Sequence, residues 1–366
     1  MKISYISNIK LSESSGGMSG ANNAVHSLLN NDHEICDYTY INPETDLILK
    51  IISKLFRLVC LKGEYHFFSE RRLNVIRDLF ELQKKEGNYY FFLGFTSWIN
   101  ITPIKPYYCY NDACFETYVS VYNNKNEFSE VDLQRIYNKE RNFLNDAKCV
   151  FFNSAWAIAQ TKKAYNMSGK NFVNVGVGGF IDLPKQDSYQ SGYKFLFISM
   201  DFESKGGYIV VKAIKKVREN FPNAQLWIVG DIPPKEILDQ DGIVYKGFFK
   251  KSIKEEHAQL MKIFEETFCL VHPTKKDINP LVIVELAYFG CPTIASNRFA
   301  IPEFVLPNKS GLLIDNPNDY LEVADKMCYM IENKKEYSQM RKFTRQNAIE
   351  NNTWDKVGER LLNNMK

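Results

Sequence analysis

The sequence lacks the cysteine patterns that mark disulfide scaffolds and zinc sites. None of the eight cysteines belongs to a C-x-x-C pair, and several lie inside apolar runs such as "AKCVFFN" and "FCLVHP". This pattern predicts reduced, buried thiols.

Long hydrophobic runs, a signal peptide and a strong charge imbalance are missing as well. No apolar run approaches the roughly 20 residues needed to cross a bilayer, and "MKISYIS" at the N-terminus is typical of a strand. We therefore expect a cytoplasmic protein. The formal net charge is only +3, so nucleic acid is not an expected partner.

What the sequence contains is an alternation of short apolar strands with helix-length amphipathic segments. Strands such as "YKFLFIS" and "CLVHP" are apolar at consecutive positions, which is typical of a parallel sheet covered by helices on both faces. In "GYIVVKAIKKVRENF" the apolar residues recur at helical spacing. The alternation predicts the α/β fold class.

The length of the chain favours two domains. Its 366 residues exceed the comfortable size of one hydrophobic core, and the strand–helix series runs twice. The polar, turn-rich segment "KQDSYQSG" separates the two series. We predict domains of residues 1–185 and 186–350, followed by a C-terminal helix over 351–366.

Two glycine-containing turns precede helices and predict anion sites. In "SMDFESKGGYIVVKA", Lys205, Gly206 and Gly207 open a helix whose free amides suit a phosphate. In "SSGGMSGANNAV", Gly16 and Gly17 precede a helix in the same way. The first is not a Walker loop, and the second departs from the dinucleotide fingerprint. An ordinary helix entry or a flexible glycine turn is the alternative for each.

The segment "DINPLVIVE" has an acid at each end, Asp277 and Glu285, around an apolar run. Pro280 fits the first turn of a helix that begins near Leu281, so Asp277 lies in a loop and Glu285 inside the helix. A carboxylate in an apolar helix is costly unless it is hydrogen-bonded, and ligand hydroxyls are suitable partners. The alternative is that Glu285 pairs with a nearby lysine or caps a loop.

The order of these features resembles the retaining GT-B glycosyltransferases of family 4. Their signature is E-x7-E, then G-x-P, then a G-x-x-E turn; here it reads D-x7-E from Asp277 to Glu285, "GCP" at 290–292, and "SNRFAIPEFV" with Glu303. The resemblance implies a GT-B fold, in which two Rossmann-like domains with parallel sheets face a central cleft. It also implies that the first domain binds the acceptor, that the second binds the sugar nucleotide, and that the C-terminal helix returns to the first domain.

The resemblance implies roles for individual residues. Glu285 would hold the ribose hydroxyls, Asp277 the transferred sugar, and Lys205 the diphosphate. Asp112, near the place where many relatives carry a histidine, would orient the donor or the acceptor, and a solvent-facing loop acid is its alternative. The substrate-binding positions implied are Gly16, Gly17, Gly206, Gly230, Asp231, Phe248, Pro280, Leu281, Val282 and Glu303.

Two positions depart from the family pattern. Asp277 replaces a glutamate and is one methylene shorter. Met200 stands where many relatives have an arginine, so one phosphate contact is missing or is supplied by Arg298 or Lys276. His272 is interpreted as a packed strand-end residue and not as a ligand.

The activity implied is transfer of a sugar, with retention of configuration, from a nucleotide-diphosphate sugar to a glycan or a lipid-linked acceptor. UDP is the commonest nucleotide of the family, and neither a metal nor another cofactor is expected. The implied setting is surface-polysaccharide or lipopolysaccharide synthesis. Two alternatives stay open: a GT-B sugar-nucleotide epimerase or hydrolase, and a non-catalytic sugar-nucleotide-binding protein.

Residues 47–63, "LILKIISKLFRLVCLKG", predict a basic amphipathic helix, with Lys50, Lys54 and Arg57 on one side. One expectation is that this helix contacts the inner membrane surface and gives a peripheral location on its cytoplasmic face. Alternatively it packs on the first domain's core with a solvated basic edge. The apolar residues mostly opposite the basic ones are Leu47, Ile48, Ile51, Ile52, Leu55 and Val59.

Overall fold

The computed structural model describes residues 1–11, 16–45, 47–58 and 62–365. The chain forms two compact units, one of Met1–Gly176 with Val357–Lys366 and one of Val177–Lys356. The first division lies at Gly176, compared with residue 185 in the sequence analysis. Each unit has a six-stranded sheet and a core of its own, which confirms the predicted α/β class.

The sheet of the first unit has the strand order β2-β1-β3-β4-β5-β6, and all neighbouring strands are parallel. Its strands are β1 (Lys2–Ser7), β2 (Glu34–Tyr40), β3 (Tyr89–Leu93), β4 (Tyr107–Asn111), β5 (Cys149–Phe152) and β6 (Phe172–Asn174).

The helices of the first unit connect these strands. They are α1 (Gly17–Asp32), α2 (Leu47–Leu58), α3 (Glu70–Leu82), α4 (Phe115–Tyr122), α5 (Glu130–Asp146) and α6 (Ala155–Tyr165), with short 3-10 helices at His66–Phe68, Thr96–Trp98 and Lys125–Glu127.

The predicted amphipathic helix is present as α2, and Val59 lies outside the described residues. Ser53 is buried and donates a hydrogen bond to Glu64 O at 3.1 Å, whereas the large apolar side chains of the helix are exposed by 39% to 68%. The alternative in which the apolar side of α2 packs on the core of the first unit is therefore wrong. The exposed apolar residues are Leu47, Ile48, Ile51, Ile52, Leu55 and Phe56.

The sheet of the second unit has the order β12-β11-β10-β7-β8-β9, again with all neighbours parallel. This is the strand order of the doubly wound Rossmann fold. Its strands are β7 (Lys194–Ser199), β8 (Gln225–Gly230), β9 (Ile243–Gly247), β10 (Cys269–His272), β11 (Thr293–Ser296) and β12 (Gly311–Ile314).

The remaining helices follow the strands of the second sheet or close the chain. They are α7 (Gly207–Arg218), α8 (Lys235–Leu238), α9 (Lys254–Glu266), α10 (Leu281–Ala287), α11 (Ile301–Phe304), α12 (Tyr320–Glu332), α13 (Lys334–Asn351) and α14 (Trp354–Asn363).

Burial explains why the strand sequences are continuously apolar. Every residue of β5, β10 and β11 is buried, as expected where helices cover both faces of a parallel sheet. The helices instead bury one stripe: α7 buries Val210, Val211 and Ile214 while Lys212 and Lys215 stay exposed. The sequence periodicity therefore reflects the layers of the fold.

Side-chain caps define several helix starts. Ser69, Ser129 and Ser154 each accept a hydrogen bond from a backbone amide in the first turn of α3, α5 and α6. Asp319 does the same for α12. These caps satisfy amides that have no partner within the helix.

The cysteines of the described residues are free thiols, five of them buried; Cys60 lies outside the described residues. Burial raises the pKa of Cys149 to about 12, so this thiol is protonated at neutral pH. Within the described ranges, no helix combines the length and the hydropathy that crossing a bilayer requires.

Candidate active site

The strand order of the second unit creates a crevice between two loops. Strands β7 and β10 are neighbours in the sheet but not in the sequence, so the chain leaves their carboxyl ends toward opposite sides. Ligands of open α/β sheets bind at such a switch point. The loops that follow β7 and β10 carry Lys205 and Asp277.

Lys205 and Asp277 are in direct contact. The ammonium nitrogen of Lys205 donates to Asp277 Oδ2 at 2.5 Å and to the backbone oxygen of Lys276 at 3.0 Å. The two loops also join through a bond from the Lys275 amide to Ser204 O at 3.3 Å. A cation and a carboxylate predicted to serve one ligand thus lie side by side.

Gly206 permits this close approach of the two loops. It precedes α7 with a φ of +89°, and a Cβ built on it would lie 2.7 Å from the Pro273 carbonyl oxygen. A side chain here would be strained by the backbone conformation and would push the loops apart. Glycine at this position therefore has a structural reason that does not depend on a ligand.

His272 completes the group around Asp277. It ends β10, is only 2% exposed, and its Nε2 lies 3.4 Å from Asp277 Oδ2. Burial alone would raise the pKa of Asp277, but nearby His272 and Lys205 lower it below the ordinary value. Asp277 is therefore a carboxylate at neutral pH.

Glu285 forms a second group of contacts. It lies in α10, which begins at Leu281 directly after Pro280, so the predicted helix start is confirmed. Glu285 is 3% exposed. It accepts a hydrogen bond from the Phe180 amide at 3.1 Å and another from the Lys251 ammonium. The sequence analysis gave a nearby lysine as an alternative partner of Glu285, and Lys251 is that partner.

The other predicted donor-binding residues lie near the carboxyl ends of the second sheet. Gly230 ends β8 with a φ of +111°, and a Cβ there would lie 1.9 Å from Ser199 O, so sheet packing by itself requires this glycine. Asp231 follows it, and its amide donates to Ser199 O at 2.9 Å. Phe248, after β9, is 49% exposed. Glu303 lies in α11 and is half-buried.

Leu281 and Val282, in the first turn of α10, are half-buried. Met200, where the family pattern has an arginine, is exposed, and so are Arg298 and Lys276, the replacements considered from the sequence.

The remaining predicted residues belong to the first unit. Gly16 and Gly17 precede and open α1; Gly17 has a φ of +60°, and a Cβ on either would meet nothing within 4 Å. Asp112 follows β4 and lines a cavity of about 740 Å³, a volume within the range of small-ligand sites. Asp112 is thus a cavity residue, and its role toward the donor or the acceptor stays a prediction.

The cavity lies at the carboxyl ends of the first four strands. Asn8 follows β1, Asn42 follows β2, Thr96 and Ser97 follow β3, and Asn111 ends β4. The aromatic side chains that line it are Tyr65, Phe67, Phe68, Phe115, Tyr118 and Tyr122.

Sequence reasoning missed Lys251 and undervalued His272. Lys251 follows β9 in "KGFFKKS", and its position at the carboxyl end of a parallel strand was the available signal. His272 was interpreted as a packed strand-end residue; it is buried, but it also contacts Asp277. Among the described residues, no group of three or more His, Cys, Asp and Glu side chains is placed to hold a metal ion.

Comparisons with known proteins agree with this arrangement. Residues 181–347 match the family described as Glycosyl transferases group 1. The match covers a little under half of the chain. The matched segment lies wholly within the second unit and ends inside α13.

Solved structures with the same fold cover the whole chain. Sucrose-phosphate synthase from Thermosynechococcus elongatus is 13% identical, with 98% of both chains covered and a TM-score of 0.68. The lipopolysaccharide outer core galactosyltransferase WaaB is 12% identical over 100% of this chain and 99% of its own, with a TM-score of 0.67. HepE from Anabaena, in complex with UDP, is 14% identical over 100% and 99%, with a TM-score of 0.63. At such identities the likeness shows the fold, which is GT-B with two Rossmann-like domains.

A sequence relative from Klebsiella pneumoniae is described as an uncharacterized 41.2 kDa protein in the cps region. It is 25% identical over 138 residues, which is 37% of this chain and 37% of that protein. The chain therefore matches little more than a third of this relative's length.

Proposed function

We propose that this protein is a retaining glycosyltransferase of family 4 that moves a sugar from a UDP-linked donor to a glycan or a lipid-linked acceptor. We place the reaction in surface-polysaccharide or lipopolysaccharide synthesis, at the cytoplasmic face of a membrane, and without a metal or another cofactor.

The observation that carries this proposal is the contact between Lys205 and Asp277 at the switch point of the second sheet. An isolated ion pair needs no such location. A sugar diphosphate needs a cation for its phosphates and, a few ångströms away, a group that accepts hydrogen bonds from the sugar hydroxyls. When the donor binds, its diphosphate takes the place of Asp277 as the partner of Lys205. Asp277 then accepts hydrogen bonds from the hydroxyls of the sugar.

The chemical requirement is stabilisation of the leaving group. The bond between the anomeric carbon and the diphosphate oxygen breaks, and its electron pair goes to the nucleoside diphosphate. The acceptor's hydroxyl oxygen forms the new bond to the same face of that carbon, and its proton passes to the departing diphosphate oxygen. Lys205 and the amides around Leu281 and Val282 stabilise this charge, a contribution that is usually among the largest in such sites. Glu285, held by Lys251 and the Phe180 amide, accepts from the ribose hydroxyls.

Solved structures with the same fold support the choice of donor and setting. HepE structures contain UDP and UDP-glucose, TarM was crystallised with UDP, and WaaB is a lipopolysaccharide galactosyltransferase. The chain covers 61% of that TarM structure's length.

The test measures nucleotide binding and donor cleavage together. UDP should raise the melting temperature more than GDP, dTDP or CMP, because a ligand stabilises the state that it binds. With UDP-glucose, UDP-galactose and UDP-N-acetylglucosamine as donors, Lys205→Ala and Glu285→Ala should each lower the turnover by about a hundredfold or more. Retention is tested by NMR of the anomeric proton of the product.

Lys212→Ala is the matched control for Lys205→Ala. Lys212 is an exposed lysine of α7, so its removal changes the same charge away from the crevice, and turnover should stay at the wild-type level. If Lys205→Ala binds UDP and turns over the donor at the wild-type rate, the proposed site is wrong.

A further inference from the structure

Both hydrogen bonds that Glu285 accepts end on the same oxygen of its carboxylate. The Phe180 amide and the Lys251 ammonium each donate to Oε1. In the described part of the chain no donor contacts Oε2, although each carboxylate oxygen has two lone-pair sites. Oε2 is also not one of the fully buried atoms without a partner, so it is open to a ligand. The protein therefore fixes one oxygen of Glu285 and leaves the other for the hydroxyls of a ligand.

The Phe180 amide belongs to a segment, residues 178–180, that runs directly against α10. A Cβ on Gly179 would lie 3.0 Å from Glu285 Cγ and 3.0 Å from Tyr288 Cε2. Glu285 and Tyr288 are three positions apart and therefore lie on the same side of the helix. Glycine at 179 permits the main chain to approach that side closely. The carboxylate of Glu285 is thus oriented by main chain from outside its own helix.

Tyr288 fastens this segment through its hydroxyl. The hydroxyl accepts a hydrogen bond from the Gly179 amide at 2.8 Å and donates one to Asn352 O at 2.6 Å. Tyr288 is 3% exposed, and burial raises its pKa to about 12, so the hydroxyl is protonated at neutral pH and keeps both hydrogen bonds. One hydroxyl thus joins the segment before β7 to the segment between α13 and α14.

Trp354, at the start of α14, covers the same segment. The ring centroids of Phe180 and Trp354 are 5.3 Å apart, and a Cβ on Gly178 would lie 2.7 Å from Trp354 Cδ1. Residues 178–180 therefore contact α10 through Gly179 and the start of α14 through Gly178. A segment held at both of these points keeps its amides in defined positions.

The hydroxyl of Tyr288 consequently does more than satisfy two buried backbone groups. It holds the Gly179 amide, and the next amide along the chain is the Phe180 donor to Glu285. Without the hydroxyl the Gly179 amide is released, and the neighbouring Phe180 amide moves with it. Oε1 is then held by Lys251 alone, whose flexible side chain does not fix the direction of Oε2.

We propose that Tyr288 is a positioning residue of the nucleotide site: through Gly179 and Phe180 it directs Glu285 Oε2 toward the hydroxyls of a ribose. The site therefore selects donors built on ribonucleotides over donors built on deoxyribonucleotides, such as dTDP-sugars. The recognition of ribose by Glu285 rests on the proposed function. The fastening of residues 178–180 by Tyr288 does not.

The first experiment measures hydrogen exchange, by mass spectrometry, in the peptide that contains Gly179 and Phe180. Tyr288→Phe keeps the ring and removes only the hydroxyl. Exchange of this peptide should accelerate at least about tenfold, because the Gly179 amide loses its acceptor and the Phe180 amide is no longer held on Glu285. Exchange at the wild-type rate overturns the proposal.

Tyr337→Phe is the matched control. Tyr337 belongs to the same unit and is 8% exposed; its hydroxyl donates to Phe268 O at 2.8 Å and accepts from Arg341 at 3.0 Å. Its replacement therefore removes the same two kinds of hydrogen bond from a buried tyrosine, away from residues 178–180. It should lower the melting temperature and leave exchange of the peptide at the wild-type rate. Equal acceleration in both variants would show a general loss of stability and overturn the proposal.

The second experiment compares UDP, GDP, ADP and CDP with their 2′,3′-dideoxy forms by calorimetric titration. The wild type should bind its tightest ribonucleotide at least about tenfold more strongly than the dideoxy form, because the hydroxyls donate to a carboxylate. In Tyr288→Phe this ratio should fall to about threefold or less, through weaker binding of the ribonucleotide, while affinity for the dideoxy form stays at the wild-type value. Tyr337→Phe should keep the wild-type ratio.

The outcomes separate this inference from the proposed function. A ratio that Tyr288→Phe keeps at the wild-type value overturns the positioning role and leaves the glycosyltransferase intact. Tighter binding of GDP than of UDP, with a ratio that Tyr288→Phe lowers, keeps the positioning role and overturns the UDP-linked donor. A wild type that binds no nucleotide, or that has no preference for ribose, overturns the roles of both Glu285 and Tyr288.

Discussion

Two carboxylates of the second unit are each held by a lysine, but their surroundings differ. The side chain of Glu285 is 4% exposed beside Lys251, and that of Asp277 is 18% exposed beside Lys205. A buried carboxylate depends strongly on its partner because water cannot replace a lost hydrogen bond. Asp277, nearer to solvent and also close to His272, can exchange Lys205 for a ligand at lower cost.

Lys251→Gln should weaken UDP binding about tenfold. Loss of a charged hydrogen bond costs about 1.5–3 kcal/mol, and without Lys251 the Glu285 carboxylate is no longer held in one position for the ribose hydroxyls. Isothermal titration with UDP measures the effect. Lys250→Gln changes the adjacent, exposed lysine and should bind UDP as the wild type does. Equal affinity of the two variants would contradict the role given to Lys251.

Asp277→Asn should reveal a pH-dependent contribution to stability. The pKa of Asp277 is lowered in the folded protein from an ordinary value of 3.8. Ionised Asp277 therefore stabilises the fold above that pH, and the stabilisation is lost as the pH falls through the lowered pKa.

The measurement is the melting temperature of wild type and Asp277→Asn between about pH 7 and about pH 3. The difference between the two proteins should be constant near neutral pH and should narrow below 3.8. A difference that widens on acidification would contradict the assigned direction of the pKa shift.

At the residue scale the sequence indicated the acids but not all of their partners. Asp277 and Glu285 stood out because an acid beside an apolar run needs an explanation. Lys251 did not stand out, since a lysine in a polar turn is ordinary. Its contact with Glu285 spans 34 positions, a separation that no local pattern encodes.

Among the elements, the start of α7 carries a strong steric constraint. Gly206 combines a positive φ with a contact to the loop after β10, whereas Gly192 has a similar φ of +94° but its added Cβ would meet nothing closer than 3.7 Å. A comparison of alanine variants at the two glycines therefore distinguishes the cost of a positive φ from the cost of the close contact with the Pro273 carbonyl.

Gly206→Ala should lower the free energy of unfolding by about 1–2 kcal/mol more than Gly192→Ala does. Both variants place alanine at a positive φ, which costs about 1–2 kcal/mol, but only the first adds a clash with the Pro273 carbonyl. Denaturant titration measures the difference. Gly206→Ala should also weaken UDP binding, because the loops that hold Lys205 and Asp277 move apart. Equal destabilisation by both would show that the clash relaxes freely.

Element boundaries followed from local chemistry where that chemistry was distinctive. The start of α10 at Leu281 was predicted from Pro280, because proline is favourable at a helix start and unfavourable inside it. The face of α2 that contacts its unit was left open, because an amphipathic pattern does not state which face is covered.

At the scale of the whole molecule, Arg341 connects distant parts of the second unit. Its buried guanidinium donates to Asp187 at 2.6 and 2.7 Å, to Phe289 O at 2.7 Å and to Tyr337 Oη at 3.0 Å. It thereby fastens α13 to the segment that leads into β7 and to the end of α10. One residue thus satisfies several groups that would otherwise be buried without partners.

Arg341→Ala should lower the free energy of unfolding by about 3–5 kcal/mol, because a largely buried ion pair loses one partner. Hydrogen exchange should accelerate in β10, β11 and β12, and should stay unchanged in β1 to β6, which belong to the other unit. Lys342→Ala, at an exposed neighbouring position, is the control and should leave both units unchanged. Equal acceleration in the two sheets would contradict this assignment.

The sequence by itself determined the α/β class, the duplication of the strand–helix series and the position of two acids at a strand–loop–helix junction. Each of these is a local property, since burial on both faces makes strands continuously apolar and burial on one face gives helices their period. Only the tertiary structure decided that Lys251 neutralises Glu285, that Arg341 binds Asp187, and that the apolar side of α2 stays uncovered. These depend on strand order and on packing between segments far apart in the chain, which the periodicity of a single segment does not contain.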